Sequence, residues 1–345
     1  MAKYFDSRIE LVSNFSNIDL GFVGPPIIYN DALCFIYRDS NNYLNLVYYK
    51  EGRLTKVLNP DNENNFTKGD VQSYYLFKPV VFQNQLFYLY RDKAYHYHLA
   101  KFNGSTIQLI RNPINGSMYY SEINNNPYFT EFDGTLFFIF NPFKSLQLGY
   151  FDGQSITILT NPDNVLESSS GVKGHLFATN DFLIFRYLNK FGKYQLCKWA
   201  NNKFDLIDNI SMSDIGYLGY PIKFDNKIYF IYHGFSNSQL GLLDEQSNSI
   251  KLIGGNSPNY SIADPFANFK FRNEIYPLFD FQNKLYFGYS SNIMGLGFFD
   301  ANNVEFVKRN INMTFLLSYY VEYNSNLYFT VEPTSLVSQS IILQD

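Results

Sequence analysis

Three features of the sequence predict an all-β fold built from seven copies of a four-stranded antiparallel unit. One strand pattern recurs seven times at intervals of about fifty residues. The apolar content is dominated by 35 Phe and 30 Tyr against a single Trp, and such rings suit a pleated, half-buried surface. Nowhere do Ala, Leu, Glu and Lys repeat at the 3.6-residue period of an amphipathic helix.

The recurring strand, second in its unit and labelled b, is plainest at 33–39, LCFIYRD, and 86–92, LFYLYRD. Its first aliphatic residue is Leu33, Leu86, Leu136, Leu183, Ile228, Leu285 and Leu327, at spacings of 53, 50, 47, 45, 57 and 42 residues. Counting from Leu327 through the C-terminus and round to Leu33 gives 51 more, so seven units use the whole chain.

The other elements follow in order. An apolar run (a) precedes each b strand, as in PPIIY, KPVVF, PYFTEF, HLFAT, YPIKF, YPLFDF and YYVEY. A two-residue polar turn such as Asn30-Asp31, Gln83-Asn84 or Asp133-Gly134 joins a to b, the chemistry a tight hairpin demands. Strand c follows (YLNLVYY, LQLGYF, YQLCKW, QLGLLD, MGLGFFD), and after a short turn comes d (RLTKVL, TIQLI, SITIL, KFDLI, SIKLI, VEFVK). The last unit stops after its third strand, SQSIILQD. The segment KYFDSRIELVSN matches GYFDGQSITILTN, so the N-terminus is expected to complete the C-terminal sheet, with Arg8–Ser13 against Ser340–Leu343.

Four-stranded units repeated in this way resemble the seven-bladed β-propeller class, and the resemblance spans residues 1–345 as a single domain. The blades lack the Trp-Asp ending of WD40 repeats and the Ser-x-Asp-x-Gly-x-Thr-Trp box of sialidases. They are closest in flavour to kelch repeats, although Gly254-Gly255 is the one Gly pair present.

In a propeller the a–b and c–d turns share one face, and the b–c and d–a connections share the other. Here the first kind is short and the d–a kind long, at 59–77, 112–126, 160–174, 208–219 and 254–275. Binding residues collect on long loops carried by a rigid scaffold, which makes the d–a face the expected working face. The position ending strand b holds Arg38, Arg91, Asn141, Leu188, His233, Ser290 and Glu332. Its variability frees it from the fold, and Arg38, Arg91, Asn141, His233 and Glu332 are the candidate ligand-binding residues. The preceding column, Tyr37, Tyr90, Phe140, Tyr187, Tyr232, Tyr289 and Val331, is nearly uniform and reads as packing. A strand-a column (Ile28, Val81, Glu131, Ala178, Lys223, Asp280, Glu322) faces the axis; Glu131, Lys223, Asp280 and Glu322 form a candidate polar channel set.

Composition narrows the chemistry. A net charge of −4 and a pI near 5.6 leave no clustered basic face for nucleic acid. No stretch reaches eighteen uncharged apolar residues, so no membrane span is expected. Cys34 and Cys197 belong to different units and are expected to stay unpaired. Asn14, Asn65, Asn103, Asn115, Asn209, Asn259 and Asn312 head N-x-S/T sequons, in the number an Asn-rich chain carries by chance. The start, MAKYFDSRIEL, is too charged for a signal peptide, which implies the cytoplasm if Met1 is native and secretion if a leader was removed.

No nucleophile apparatus, P-loop, EF-hand or metal-ligand spacing is present, and no catalytic residue, metal or cofactor is assigned. His96 and His98 fall on one face of strand c without a third ligand. The aromatic loops VQSYYLF, SMYYSEINNNPYF and SPNYSIADPFANF suit recognition of a protein surface. The expected function is therefore a monomeric, non-catalytic scaffold binding a protein partner. A lectin-like glycan-binding role stands second, and a glycoside hydrolase or lyase using Glu131, Asp280 and Glu322 third.

Overall fold

A computed structural model of the chain describes residues 2–5, 8–11, 14–19, 21–40, 43–57, 67–68, 79–91, 97–110, 112–113, 117–118, 129–141, 145–163, 170–235, 237–253, 261–262, 278–290, 294–301, 303–306, 313–323, 326–333 and 339–343. Every regular element among them is a β-strand. The chain divides into two compact units, Met1–Ser169 and Ser170–Asp345.

In the first unit, strands Gly21–Tyr29, Ala32–Arg38, Tyr43–Lys50 and Arg53–Lys56 pair in sequence as one antiparallel meander. A second meander runs Val80–Phe82, Gln85–Arg91, Tyr97–Phe102 and Ile107–Ile110. A third runs Thr130–Phe132, Thr135–Asn141, Gln147–Phe151 and Ile156–Ile158. The second unit repeats the pattern with Gly171–Ala178, Leu183–Leu188, Tyr194–Ala200 and Lys203–Ile207, then with Gly216–Phe224, Lys227–His233, Ser238–Asp244 and Ser249–Ile253. These two meanders are linked by one parallel pairing, Tyr194 with Gly216. Leu278–Phe281, Lys284–Ser290, Met294–Phe299 and Val304–Phe306 form the next, and Met313–Tyr323, Asn326–Pro333 and Gln339–Leu343 a three-stranded one.

The a–b turns take the geometry their residues suggested. Asn30-Asp31, Gln83-Asn84, Asp225-Asn226 and Gln282-Asn283 all sit at φ between 46 and 58°. Two consecutive left-handed residues are the signature of the turn whose twist matches paired strands. The c–d turns are held by side-chain caps: Asp152 Oδ1 accepts from the backbone N–H of Gln154 and Ser155, both at 2.8 Å. Asn103 and Asp300 act likewise on Thr106 and Asn303.

Strand b is apolar along its length because both of its faces are buried. In Gln85–Arg91, Leu86, Tyr88 and Tyr90 pack with Cys34, Ile36 and Leu46 of the preceding sheet. The alternate residues Phe87 and Leu89 pack with Leu136, Phe138 and Phe140 of the following one. Each such ring or aliphatic chain contributes about 1.5–3 kcal/mol. Sheets therefore bury each other face to face within a unit, and the same holds in the second unit for Ile184 against Phe230 and Tyr229 against Phe287.

Two sequence expectations change. Arg8–Leu11 takes Ala2–Phe5 as its antiparallel partner, forming a local hairpin. Strand a also begins earlier than its apolar run: 171–174 and 216–219, expected within loops, are strand. Each begins with a Gly-x-x-Gly step whose glycines have φ of 101, 69, 103 and 110°. Glycine lets pairing resume across a β-bulge, which the register shifts after Lys173 and around Gly219 record. Both cysteines are free and buried. Burial pushes the Cys34 thiol up to about 11 and raises that of Cys197 as well.

Candidate functional site

The residues ending strand b occupy the same register in each sheet. Arg38 lies opposite Gly21, Asn141 opposite Ser117, His233 opposite Gly216 and Glu332 opposite Thr314, while Arg91 pairs with Tyr97. Arg38, Arg91 and Asn141 belong to the first unit, His233 and Glu332 to the second. His233 Nδ1 shares a 2.7 Å hydrogen bond with the fully buried Ser238 Oγ across its own b–c connection. Asp39 is engaged by Lys56 Nζ at 3.5 Å and Asn45 Nδ2 at 3.3 Å. The side chains of Arg91 and Glu332 lie outside the described residues, as do most of the long aromatic loops.

The strand-a column is mostly exposed where it is described. Ile28 is 75% exposed and Val81 38%, and Glu131, Lys223 and Asp280 are exposed as well, whereas Ala178 is half-buried. The Glu322 side chain lies outside the described residues. Among the described residues no cluster of His, Cys, Asp or Glu is arranged to hold a metal ion. Of the histidine pair, His98 is half-buried opposite Tyr90, and His96 is outside the description.

The tyrosines of the uniform column do more than pack. Tyr37 Oη donates to Asp19 Oδ2 at 2.8 Å and accepts from the backbone N–H of Phe15 at 3.1 Å. Tyr232 Oη does the same with Asp214 Oδ2 at 2.7 Å and Ile210 N–H at 2.9 Å. The aspartates also accept from Ser16 and Ser211 N–H, closing a small turn. Burial, and then the hydrogen bond to the carboxylate, hold the Tyr37 hydroxyl up at about 12 and raise that of Tyr232. Sequence reading missed this latch. Its signal is Asn-x-Ser-x-x-Asp-x-Gly at 14–21 and 209–216, each beginning nineteen residues before its anchor, Leu33 or Ile228.

A second missed feature lies in the unit Ser170–Asp345. Lys173 and Arg186 stand directly opposite each other on neighbouring strands, both half-buried. Arg186 Nη1 donates to Leu218 O of the next sheet at 3.1 Å, and its guanidinium lies 4.5 Å over the ring of Tyr194. The fully buried Tyr217 hydroxyl, which has no hydrogen-bond partner among the described residues, is near enough to Arg186 to feel its charge. Burial, then Arg186, lower the Lys173 ammonium below its ordinary value. The Gly-x-x-Gly step at 171–174 and 216–219, twelve residues before each anchor, is the sequence mark of the bulged strands beside this pair.

No known protein family matches the chain, and no curated protein matches its sequence. Solved structures do. A puromycin-hydrolysing peptidase of Mycobacterium tuberculosis is similar with a TM-score of 0.52 at 8% identity, over 93% of this chain and 51% of that one. A puromycin hydrolase gives 0.49 at 8% identity over 95% and 54%. The β-propeller domain of the Trilobed protease from Pyrococcus furiosus, which has an open velcro topology, gives 0.43 at 8% identity over 95% and 94%. The chain thus spans about half the length of the puromycin-hydrolysing peptidase it matches.

The repeated four-stranded antiparallel meanders are the building unit of a β-propeller-like, all-β fold. A kelch relationship finds no support in these comparisons. They also correct the expected function. The similar structure with a TM-score of 0.52 is described as a puromycin-hydrolysing peptidase, not as the protein-recognition scaffold, lectin or glycosidase that the loops and carboxylates suggested. A fold does not by itself carry a function, so composition and repeat pattern had no purchase on one.

Proposed function

We propose that the chain is a peptidase-type propeller, acting on short peptides or aminoacyl amides, with its seven repeat units closed into one ring over residues 1–345. The observation that carries this reading is the likeness of nearly the whole chain to half of a puromycin-hydrolysing peptidase. In this reading the variable position ending strand b, with Arg38, Arg91, Asn141, His233 and Glu332, meets substrate, because the tyrosines beside it are committed to holding loops. Glu131, Lys223, Asp280 and Glu322 line the solvent-filled inner surface, consistent with the exposure of the first three.

The test is a panel of aminoacyl p-nitroanilides together with puromycin, assayed with the full chain for both turnover and calorimetric binding. Saturable binding or cleavage of at least one aminoacyl amide is expected. A panel that is neither bound nor cleaved at millimolar concentration overturns the reading.

A further inference from the structure

We propose that the apolar surface formed by Phe191, Ile210, Met212, Ile215 and Phe235 seats a second copy of this chain, making the protein a two-fold dimer. The inference is independent of the peptidase-type reading, since it rests on this surface alone.

Sheet register brings the five residues together. Leu188 pairs with Tyr194, Tyr194 with Gly216, Gly216 with His233 and His233 with Ser238. That row crosses five strands, so the connections carrying Phe191, Met212 and Phe235 all leave one end of the same sheet. Each connection is braced. Asn189 Oδ1 accepts from the N–H groups of Phe191 and Lys193 at 2.9 and 3.0 Å. The Tyr232 hydroxyl holds Asp214 and Ile210 N–H, and Gly234 N–H donates to Asn237 O at 2.9 Å. Side chains on turns already fixed cost less freedom when a partner covers them.

The surface has the make-up of an interface core. Phe191 is 75% exposed, Met212 98% and Phe235 79%, with Ile210 and Ile215 open beside them. At about 200 Å² for a large side chain fully in the open, these exposures leave about 700 Å² of surface on apolar residues. A typical monomer's largest apolar patch is about 300–600 Å², and a stable interface hides roughly 800 Å² per partner. Between Ile210 and Ile215 the one ionisable residue, Asp214, is buried against Tyr232, and Ser211 and Ser213 separate the apolar side chains. Phe and Met without exposed charge are the compositional signal of an interface centre.

The same features select the occupant. A neutral apolar surface is complementary to itself, which is what a two-fold axis demands. Anionic lipid is a poorer fit, because it attracts clusters of basic residues. Here the connections supply Lys190 and Lys193, and Lys190 Nζ already lies 5.2 Å over the Phe191 ring.

The experiment is sedimentation equilibrium of the full chain over a concentration series, with flotation on phosphatidylserine–phosphatidylcholine vesicles in parallel. It compares the native protein with Met212→Ser, Phe235→Ser and a control, Ile18→Ser, whose side chain is 74% exposed on the matching turn of the other unit. The native chain is expected at twice its 40.2 kDa at tens of micromolar, dissociating reversibly on dilution. A residue at a two-fold interface counts twice. Met212→Ser and Phe235→Ser should therefore each raise the dissociation constant at least tenfold, and Ile18→Ser should leave it unchanged. The replaced side chains face solvent, so near-UV circular dichroism should be the same in every variant, and a lost dimer then reports the interface.

A native chain that stays monomeric at those concentrations overturns the proposal, as does a dimer that both Met212→Ser and Phe235→Ser leave intact. A mass that climbs past two copies overturns the two-fold assignment. A monomer that floats with the vesicles, and ceases to as Met212→Ser, makes this a lipid-binding surface and overturns the second copy.

Discussion

Single side chains fix the loops between the strands. The Tyr37 hydroxyl bonds Asp19 and Phe15 N–H, and that of Tyr232 bonds Asp214 and Ile210 N–H, so each tyrosine closes the turn that leads into its own sheet. Tyr37→Phe and Tyr232→Phe each leave a carboxylate and a backbone N–H without this partner and are expected to cost about 1–3 kcal/mol each in denaturant unfolding, with the larger loss at Tyr232, whose Asp214 is buried. The pH dependence follows from burial and the carboxylate, which raise the Tyr37 hydroxyl to about 12. A hydroxyl protonated more tightly in the folded state contributes stability that is intact below the unfolded value of about 10 and is lost as pH climbs through about 12. Stability curves should fall across that window in the native chain and fall less in Tyr37→Phe. Gly216 is a sharper case: a Cβ there would lie 1.9 Å from Tyr194 O, at φ of 103°. Gly216→Ala should therefore unfold far more readily than Gly21→Ala, whose Cβ meets only the movable Asn14 side chain at 3.1 Å.

At the scale of the strand, one column explains a composition that otherwise looks arbitrary. The residue of strand c opposite the central aromatic of strand b is Val47, Ala100, Gly149, Cys197, Gly241 or Gly297 in the first six sheets, and Ile341 in the last. A Cβ on Gly149, Gly241 or Gly297 would come within 2.5–2.7 Å of Phe138, Phe230 or Phe287. At these three positions the ring lies across the neighbouring backbone, which only a glycine there admits. Cys197 belongs to this series, which accounts for a buried thiol without invoking reactivity. Gly241→Ala is expected to cost about 1–3 kcal/mol by overpacking, and Cys197→Ala far less, as read from urea midpoints. In the turns, Asn226 at φ 55° is left-handed. Asn226→Gly should be neutral or stabilising, and Asn226→Val should cost about 1–2 kcal/mol.

Strand b and its turn were legible in the sequence because an apolar run ending on Asn-Asp or Gln-Asn has few other readings. The outer half of strand a was not, because Gly171, Gly174, Gly216 and Gly219 read as loop until their bulged pairing is seen. The tyrosine latch escaped because Asp19 and Tyr37 are eighteen residues apart and meet only once the sheet has formed. The Lys173–Arg186 opposition escaped for the same reason, since it depends on register and a bulge shifts register.

Within each compact unit, the alternating faces of a b strand, Gln85–Arg91 in one and Lys227–His233 in the other, bury against successive sheets, so the repeat is also the core. Such a chain is expected to lose its neighbouring sheets together: Leu86→Ala, fully buried between two of them, should cost about 2–5 kcal/mol and lower the unfolding midpoint seen by every probe alike. The reading of the chain as a seven-sheet, peptidase-type propeller stands or falls most directly on a crystal structure grown with puromycin. The account predicts seven sheets about a common axis, with the ligand against the strand ends that carry Arg38, Asn141 and His233. Six or eight sheets, or puromycin seated on the outer strands, would contradict it.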